Sequence, residues 1–188
     1  MSQLGFYYNV DRCSGCKTCQ IACKDIHDSP VGVLDRRVSE CEAGTFPNPR
    51  AFFVSIACNH CADPLCVENC PSGAMHKRSE DGRVLNDPER CLGCRMCVWS
   101  CPYGAPSYSE ESHRIEKCDL CKDLVERGEQ PACVASCLMR AIEFGDVDEL
   151  RAKYGSNADI LGLPDSRKTK PSIVIKPHRT LDSARTAE

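Results

Sequence analysis

The stretch C-S-G-C-K-T-C-Q-I-A-C, Cys13 to Cys23, sets four cysteines in eleven residues with gaps of two, two and three. Thiols crowded this way answer to one of three chemistries: disulfide pairing, zinc, or an iron–sulfur centre. The chain has 188 residues, of which 17 are cysteine, and a cysteine content of about 9 per cent marks secreted disulfide scaffolds and metal proteins. Only five Phe, five Tyr and one Trp are present. The apolar core is therefore thin, and the cysteines must organise the interior. The length fits one domain or two small fused ones.

The quoted stretch is repeated. Quartet one is Cys13, Cys16, Cys19 and Cys23. Quartet two is Cys58, Cys61, Cys66 and Cys70, and quartet three is Cys91, Cys94, Cys97 and Cys101. Quartet four is Cys118, Cys121, Cys133 and Cys137. All open C-x-x-C and close C-x-x-x-C, while the middle gap runs two, four, two and eleven residues. The flanks repeat as well. Y-Y-N-V-D-R-C-S-G-C resembles V-L-N-D-P-E-R-C-L-G-C, and the β-prone run A-F-F-V-S-I-A leads into Cys58. An alanine follows the last cysteine by four residues at Ala74, Ala105 and Ala141. The repeating unit reads as strand, cysteine loop and short helix.

Between the quartets, residues 24–50 read as a long connector broken by Gly44, Pro30, Pro47 and Pro49. R-S-E-D-G-R, residues 78–83, reads as a hairpin turn before Val84 and Leu85. A-I-E-F is a short strand. D-V-D-E-L-R-A-K-Y-G is a short helix, with Asp146 as N-cap, Glu149 in the capping-box place and Gly155 as its stop. K-P-S-I-V-I-K-P, residues 170–177, reads as an extended arm suited to docking, and the last ten residues as disordered.

Disulfides need an oxidising compartment. The N-terminal M-S-Q-L-G-F-Y-Y-N-V-D-R shows no export signal, and Arg36-Arg37 has no apolar run after it. Structural zinc sites take two ligand pairs set apart by a longer spacer. Quartet four alone could pass for one; quartets one and three do not. Iron–sulfur chemistry fits every quartet. In a C-x₂-C-x₂-C-x₃-C-P run three cysteines serve one cluster and the fourth serves its neighbour, and quartet three ends in Cys101-Pro102. The short connector between Cys70 and Cys91 pairs quartets two and three. Cys58, Cys61, Cys66 and Cys101 then form one ligand set, and Cys91, Cys94, Cys97 and Cys70 the next. Quartets one and four remain, giving Cys13, Cys16, Cys19 with Cys137, and Cys118, Cys121, Cys133 with Cys23. Spacing alone also admits the other pairing, one with two and three with four.

Cys41 belongs to no quartet and reads as an isolated connector cysteine. His60 lies inside quartet two, whose thiol supply is complete, and reads as a neighbour of the ligands or a surface residue rather than a ligand. The formal charge is −3; four clusters, each about −2 with its thiolates, take it toward about −11. Lys17, Lys24, Arg95, Lys117, Lys122 and Arg140, in or beside the quartets, are the candidate counter-charges. No nucleic-acid-binding basic block occurs, and the longest apolar run, residues 51–57, falls well short of the ~20 residues of a membrane span. No phosphate loop, nucleophile motif or radical C-x-x-x-C-x-x-C motif is present, which points to electron transfer without catalysis.

The four-quartet order, with C-N-H-C-A-D-P-L-C-V-E-N-C-P-S-G-A-M-H-K-R and C-x-G-C-R-x-C-x-x-x-C-P-Y-G-A-P, resembles the iron–sulfur electron-transfer subunits of the dimethyl sulfoxide reductase family of molybdopterin oxidoreductases, over roughly residues 4–178. The resemblance implies an α+β fold of two ferredoxin-like domains, each holding two 4Fe–4S clusters. The outer domain would take 1–50 and 106–160, the inner 51–105, with 161–188 an extended C-terminal tail. It implies a wire between a molybdopterin catalytic subunit and a quinol-oxidising or -reducing membrane anchor. It also implies association with the extracytoplasmic face by co-export with the catalytic partner, or alternatively a cytoplasmic site. Relatives with tryptophan in place of one cysteine of quartet three carry a three-iron cluster there; with Cys94 in place, four irons are expected. Leu138, where a proline often stands, puts the loop after Cys137 in question. Another redox complex of hydrogenase or formate dehydrogenase type, or a free polyferredoxin, is the alternative.

Overall fold

The run L-G-F-Y-Y-N becomes strand β1 (Leu4–Asn9), buried from Gly5 onward, and burial on both faces is what a central strand requires. The computed structural model describes residues 2–179. In it β1 lies between β8 (Ile142–Asp146), antiparallel with Phe6 opposite Phe144, and β9 (Ile173–Lys176), parallel with Tyr7 opposite Val174. Alternation sends Phe6 and Tyr8 into the main core and Tyr7 to the other face. There α6 (Val147–Tyr154) covers the sheet: Leu150 packs on Tyr7 and Val174, and Tyr154 stacks on Tyr7 with ring centroids 3.7 Å apart. The α6 start is as expected, since the Asp146 carboxylate accepts from the backbone N–H groups of Asp148 and Glu149. Its C-cap is Gly155.

A long hairpin closes the other side of this core. Strand β2 (Arg36–Ala43) runs antiparallel to β3 (Arg50–Ala57), with Glu40 opposite Phe53. The Tyr8 hydroxyl donates to the Phe53 carbonyl at 2.6 Å and ties hairpin to sheet. The expected connector over 24–50 is thus corrected: its second half is a strand. Its pattern hid it, because the residue buried most deeply in β2 is Arg36, and Glu40 and Glu42 flank Cys41 where an apolar alternation would be sought.

A second, smaller core gathers Met75, Val84 and Ile115 around Cys66 and Cys97. Two short hairpins build it: β4 (Met75–Lys77) with β5 (Val84–Asn86), and β6 (Ser107–Ser109) with β7 (Arg114–Glu116). The turn read at 78–83 is there, closed by the Arg78 N–H donating to the Arg83 carbonyl. The helices between strands are short. They are α1 (Thr18–Ile26), α2 (Leu65–Glu68), α3 (Met96–Ser100), α4 (Lys122–Glu126) and α5 (Ala132–Ala135), and α1 packs on α5 while α2 packs on α3. The fold is a mixed α/β one of short strands and helices.

The segment 170–177 is extended as expected, but it is no free arm. Ile173, Val174 and Ile175 are buried in β9, and the Ser172 N–H and hydroxyl bond the Asn59 and His60 carbonyls. The apolar run that suggested a docking surface is spent on the chain's own sheet. Of the last ten residues, where disorder was expected, Arg179 is described, with its N–H donating to the Asp11 carboxylate at 2.8 Å, and 180–188 lie outside the described residues. Among the described residues no helix is long and apolar enough to cross a membrane. Ile175→Ala should lower stability by about 2–5 kcal/mol, as for other buried Ile truncations. Anaerobic denaturant titration measures this, and an unmoved midpoint would mean that β9 is only loosely held.

Candidate metal centres

The third residue of each quartet has left-handed backbone: Gly15 (φ 71°), His60 (φ 43°), Gly93 (φ 64°) and Leu120 (φ 63°). Two positions later in quartets one and three, Lys17 and Arg95 repeat that conformation as the N-caps of α1 and α3. Left-handed residues between right-handed or extended ones turn successive N–H groups to one side, the arrangement that receives anions. Glycine adopts the conformation freely, while His60 and Leu120 hold it because they are buried and packed.

A second repeat follows the last cysteine. Gly73, Gly104 and Arg140 are left-handed as well. The chain then turns back, so that the N–H groups of Ala105 and Ala141 donate to the sulfurs of Cys101 and Cys137 at 3.5 and 3.3 Å. Met75 N–H does the same for Cys70 at 3.3 Å. Ala105 and Ala141 are therefore small, buried residues that bring the backbone onto a sulfur, while in quartet two the Ala74 N–H donates to the Ser72 hydroxyl and Met75 takes that part. Leu138 does not disturb this, since Arg140 takes the left-handed place.

These loops gather the thiols in four groups. Cys13, Cys16, Cys19 and Cys137 line one pocket, with Tyr8, Ser55 and Ala141 also on its wall. Cys23 has Cys121 and Cys133 as electrostatic neighbours, and Cys118 has Cys23 and Cys133. Cys61 and Cys66 face Cys58 and Cys101. Cys97 faces Cys70, Cys91 and Cys94. The groups stand in file: Cys19 of the first neighbours Cys133 of the second, Cys118 of the second neighbours Cys58 of the third, and α2 against α3 joins third to fourth. All four cysteines of the second group are buried, while the first and fourth each expose one, Cys16 and Cys94. Among the described residues no three cysteine, histidine or acidic side chains close tightly enough to hold a single metal ion.

Burial makes the thiols poor acids. It pushes Cys61, Cys97 and Cys121 up to about 11 and Cys66 up to about 12, with neighbouring sulfurs adding to the shift. Cys118, the most enclosed, is raised well above the usual range, first by burial and then by Cys23 and Cys58. At Cys70 burial pulls the same way, but the N–H of Met75 and the Ser72 hydroxyl outweigh it and the thiol is lowered. Thiols of this kind become thiolates only against bound cations, so their donor set suits a metal cluster, whose irons take the sulfur charge directly.

Of the basic residues read as counter-charges, only Lys117 is buried, and Val84 and Cys118 carbonyls accept from its ammonium. Lys24 bonds the carbonyls of Ser29 and Pro30. Arg95 lies over the Tyr108 ring at 3.7 Å and pairs with exposed Glu110. Lys17, Lys122 and Arg140 are exposed. Sequence reading missed Arg36. It is buried, and Cys133, Cys118, Cys19 and Cys23 oppose the effect of burial and hold its charge in place. The available signal was an arginine heading a strand in an otherwise polar connector. His60 is not at the surface. Its Nδ1 accepts from the Val84 N–H at 2.9 Å, and burial holds it neutral by depressing its pKa. Cys41 sits on β2 with no quartet sulfur among its electrostatic neighbours.

Residues 49–147 match the family model described as a 4Fe-4S dicluster domain. The sequence is 49% identical to the B polypeptide of anaerobic dimethyl sulfoxide reductase from Escherichia coli, over 94% of this chain and 90% of that protein. It is 45% identical to the polypeptide of the same name from Haemophilus influenzae, over 95% and 91%. It is 33% identical to the formate dehydrogenase iron-sulfur subunit of Wolinella succinogenes, over 79% and 84%.

A Cβ on Gly15 would stand 2.5 Å from the Phe53 ring at a φ of 71°, whereas one on Gly32, at a similarly positive φ of 89°, would meet nothing within 4 Å. Gly15→Ala should therefore lower the iron content by the cluster that this loop helps to hold. Gly32→Ala should keep it all. Iron assay with electron paramagnetic resonance of the reduced protein reads the difference.

Proposed function

Because this protein belongs to the family of iron–sulfur electron-transfer subunits of anaerobic dimethyl sulfoxide reductase, built on the 4Fe-4S dicluster domain, we propose that it carries electrons through four 4Fe–4S clusters in file. The ligand sets are Cys13, Cys16, Cys19 and Cys137; Cys23, Cys118, Cys121 and Cys133; Cys58, Cys61, Cys66 and Cys101; and Cys70, Cys91, Cys94 and Cys97. Each cluster, once bound, takes up and returns one electron. The chain's own part is to hold the sulfurs, to point N–H groups of Met75, Ala105 and Ala141 at them, and to keep water from the middle of the file. With all sixteen thiols so engaged no iron is left open to a substrate, and the subunit is not itself catalytic.

The observation that carries this reading is the gradient of burial along the file: wholly enclosed cysteines in the second group, one exposed cysteine in each end group. A conduit needs an insulated middle and two reachable ends. The two units are taken as ferredoxin-like, the outer from 1–50 and 106–160 and the inner from 51–105, with hairpin β6–β7 packing on the inner unit's core. At the ends we place a molybdopterin catalytic subunit and a membrane anchor that exchanges electrons with quinol, in keeping with the reductases for which the relatives are named. Membrane association then comes through the partner, at the extracytoplasmic face if the catalytic subunit exports this one with it.

Anaerobically purified protein should contain about sixteen irons and as many acid-labile sulfides per chain, and should bring a molybdenum-containing partner with it. Cys94→Ser should remove or convert one cluster and leave three. Abundant zinc with little iron, or a colourless preparation, would overturn the reading.

A further inference from the structure

Among the described residues three lysine or arginine side chains are buried: Arg36, Arg83 and Lys117. Buried cations are kept only when something negative meets them, since an unpaired one costs several kcal/mol. Arg83 has its partners in Asp81 and Glu126. None of the ion pairs among the described residues includes Arg36 or Lys117.

Sulfur surrounds both, with other groups beside it: the Arg36 guanidinium also lies over the Phe6 ring at 4.7 Å, and Lys117 also has Asp119 and the buried Asp35 as electrostatic neighbours. Lys117 is 8% exposed, and its ammonium is fixed by the carbonyls of Val84, from the inner core, and Cys118, from the second group. Its electrostatic neighbours include Cys58 and Cys66 of the third group and Cys118 of the second. Arg36 is 2% exposed. Its Nη1 donates to the Ser55 hydroxyl at 3.2 Å, and that hydroxyl lies 3.4 Å from the Cys19 sulfur of the first group. Its Nε and Nη2 have no partner among the described residues, and Cys133, Cys118 and Cys23 of the second group stand around it. The order along the file is therefore first group, Arg36, second group, Lys117, third group.

We propose that Arg36 and Lys117 are positioning residues of the electron path, fixed cations set at successive junctions between thiol groups so that the clusters on either side accept an electron more readily. Lys117 matters most, because it stands where the two halves of the molecule meet. Both roles rest on the four-cluster reading above. Reduction adds one negative charge to a cluster, and a cation enclosed in a medium of low polarity attracts the reduced form more strongly than the oxidised one. No atoms are transferred. Each residue acts through charge alone, and the electron arrives from the neighbouring cluster and leaves to the next.

The test is an anaerobic redox titration of the complex, followed by electron paramagnetic resonance, for Lys117→Met, Lys117→Gln and Lys117→Arg. Met and Gln variants should shift the redox equilibrium of the second and third clusters at least tenfold toward the oxidised form, about 59 mV for one electron. The fourth cluster should not move, and the Arg variant should stay near wild type. Arg36→Met should move the first and second clusters in the same direction, with Arg36→Lys restoring them. If the neutral Lys117 variants lose iron from the middle clusters while the Arg variant loads fully, the positive charge is required and the proposal stands. If the Arg variant loses it too, the site needs only the lysine's shape and the proposal falls. Unmoved potentials at full iron content overturn it as well. Absence of iron from the wild-type complex would instead sink the cluster reading on which it rests.

Discussion

A thiolate moved out of water needs a positive partner, and this protein moves many. Eight of the quartet cysteines are buried, and burial alone lifts several of their pKa values far above neutrality. The apolar core is too small to carry that cost. The architecture reads as a response to it. Loops aim amide N–H groups at sulfur, two strong cations are taken inside, and the remaining sulfur charge is left for metal to neutralise. Strands and helices are kept short because they only have to span from one loop to the next.

The repetition operates at the level of single backbone angles. Four loops of different sequence place a left-handed residue at the same position, and three of them place another just after the last cysteine. Two of the first set and two of the second are glycine, and the rest, His60, Leu120 and Arg140, reach the same angles by other means. Buried packing holds the first two, while Arg140 keeps its side chain in solvent. What is shared among the loops is geometry around sulfur, and residue identity follows it only where no packing is available to impose the angle.

This explains what could be read from the letters. The quartets, the strand leading to Cys58, the hairpin turn at 78–83 and the capped helix at 147–154 were legible, because each rests on a local rule of spacing, turn chemistry or capping. The alanine repeat was visible, though its purpose at Ala105 and Ala141, bringing N–H to sulfur, was not. Strand β2 and Arg36 were not legible. Their burial is tolerated because of sulfurs that include some about a hundred residues away in sequence, and no window of local sequence contains that information. The segment 170–177 looked like an arm for the same reason: its apolar face is matched by Tyr7 and Leu150, which lie far apart in the sequence.

Strand β1 is made well before the two neighbours it needs, β8 and β9. The same is true of the first thiol group, whose fourth member is Cys137. While the polypeptide grows on the ribosome, the earliest thiols wait through most of translation beside a strand with nothing to pair with. The third and fourth thiol groups are complete once Cys101 is made, whereas the first waits for Cys137 and the sheet for β9, so the end of the file beside β1 is the part closed last.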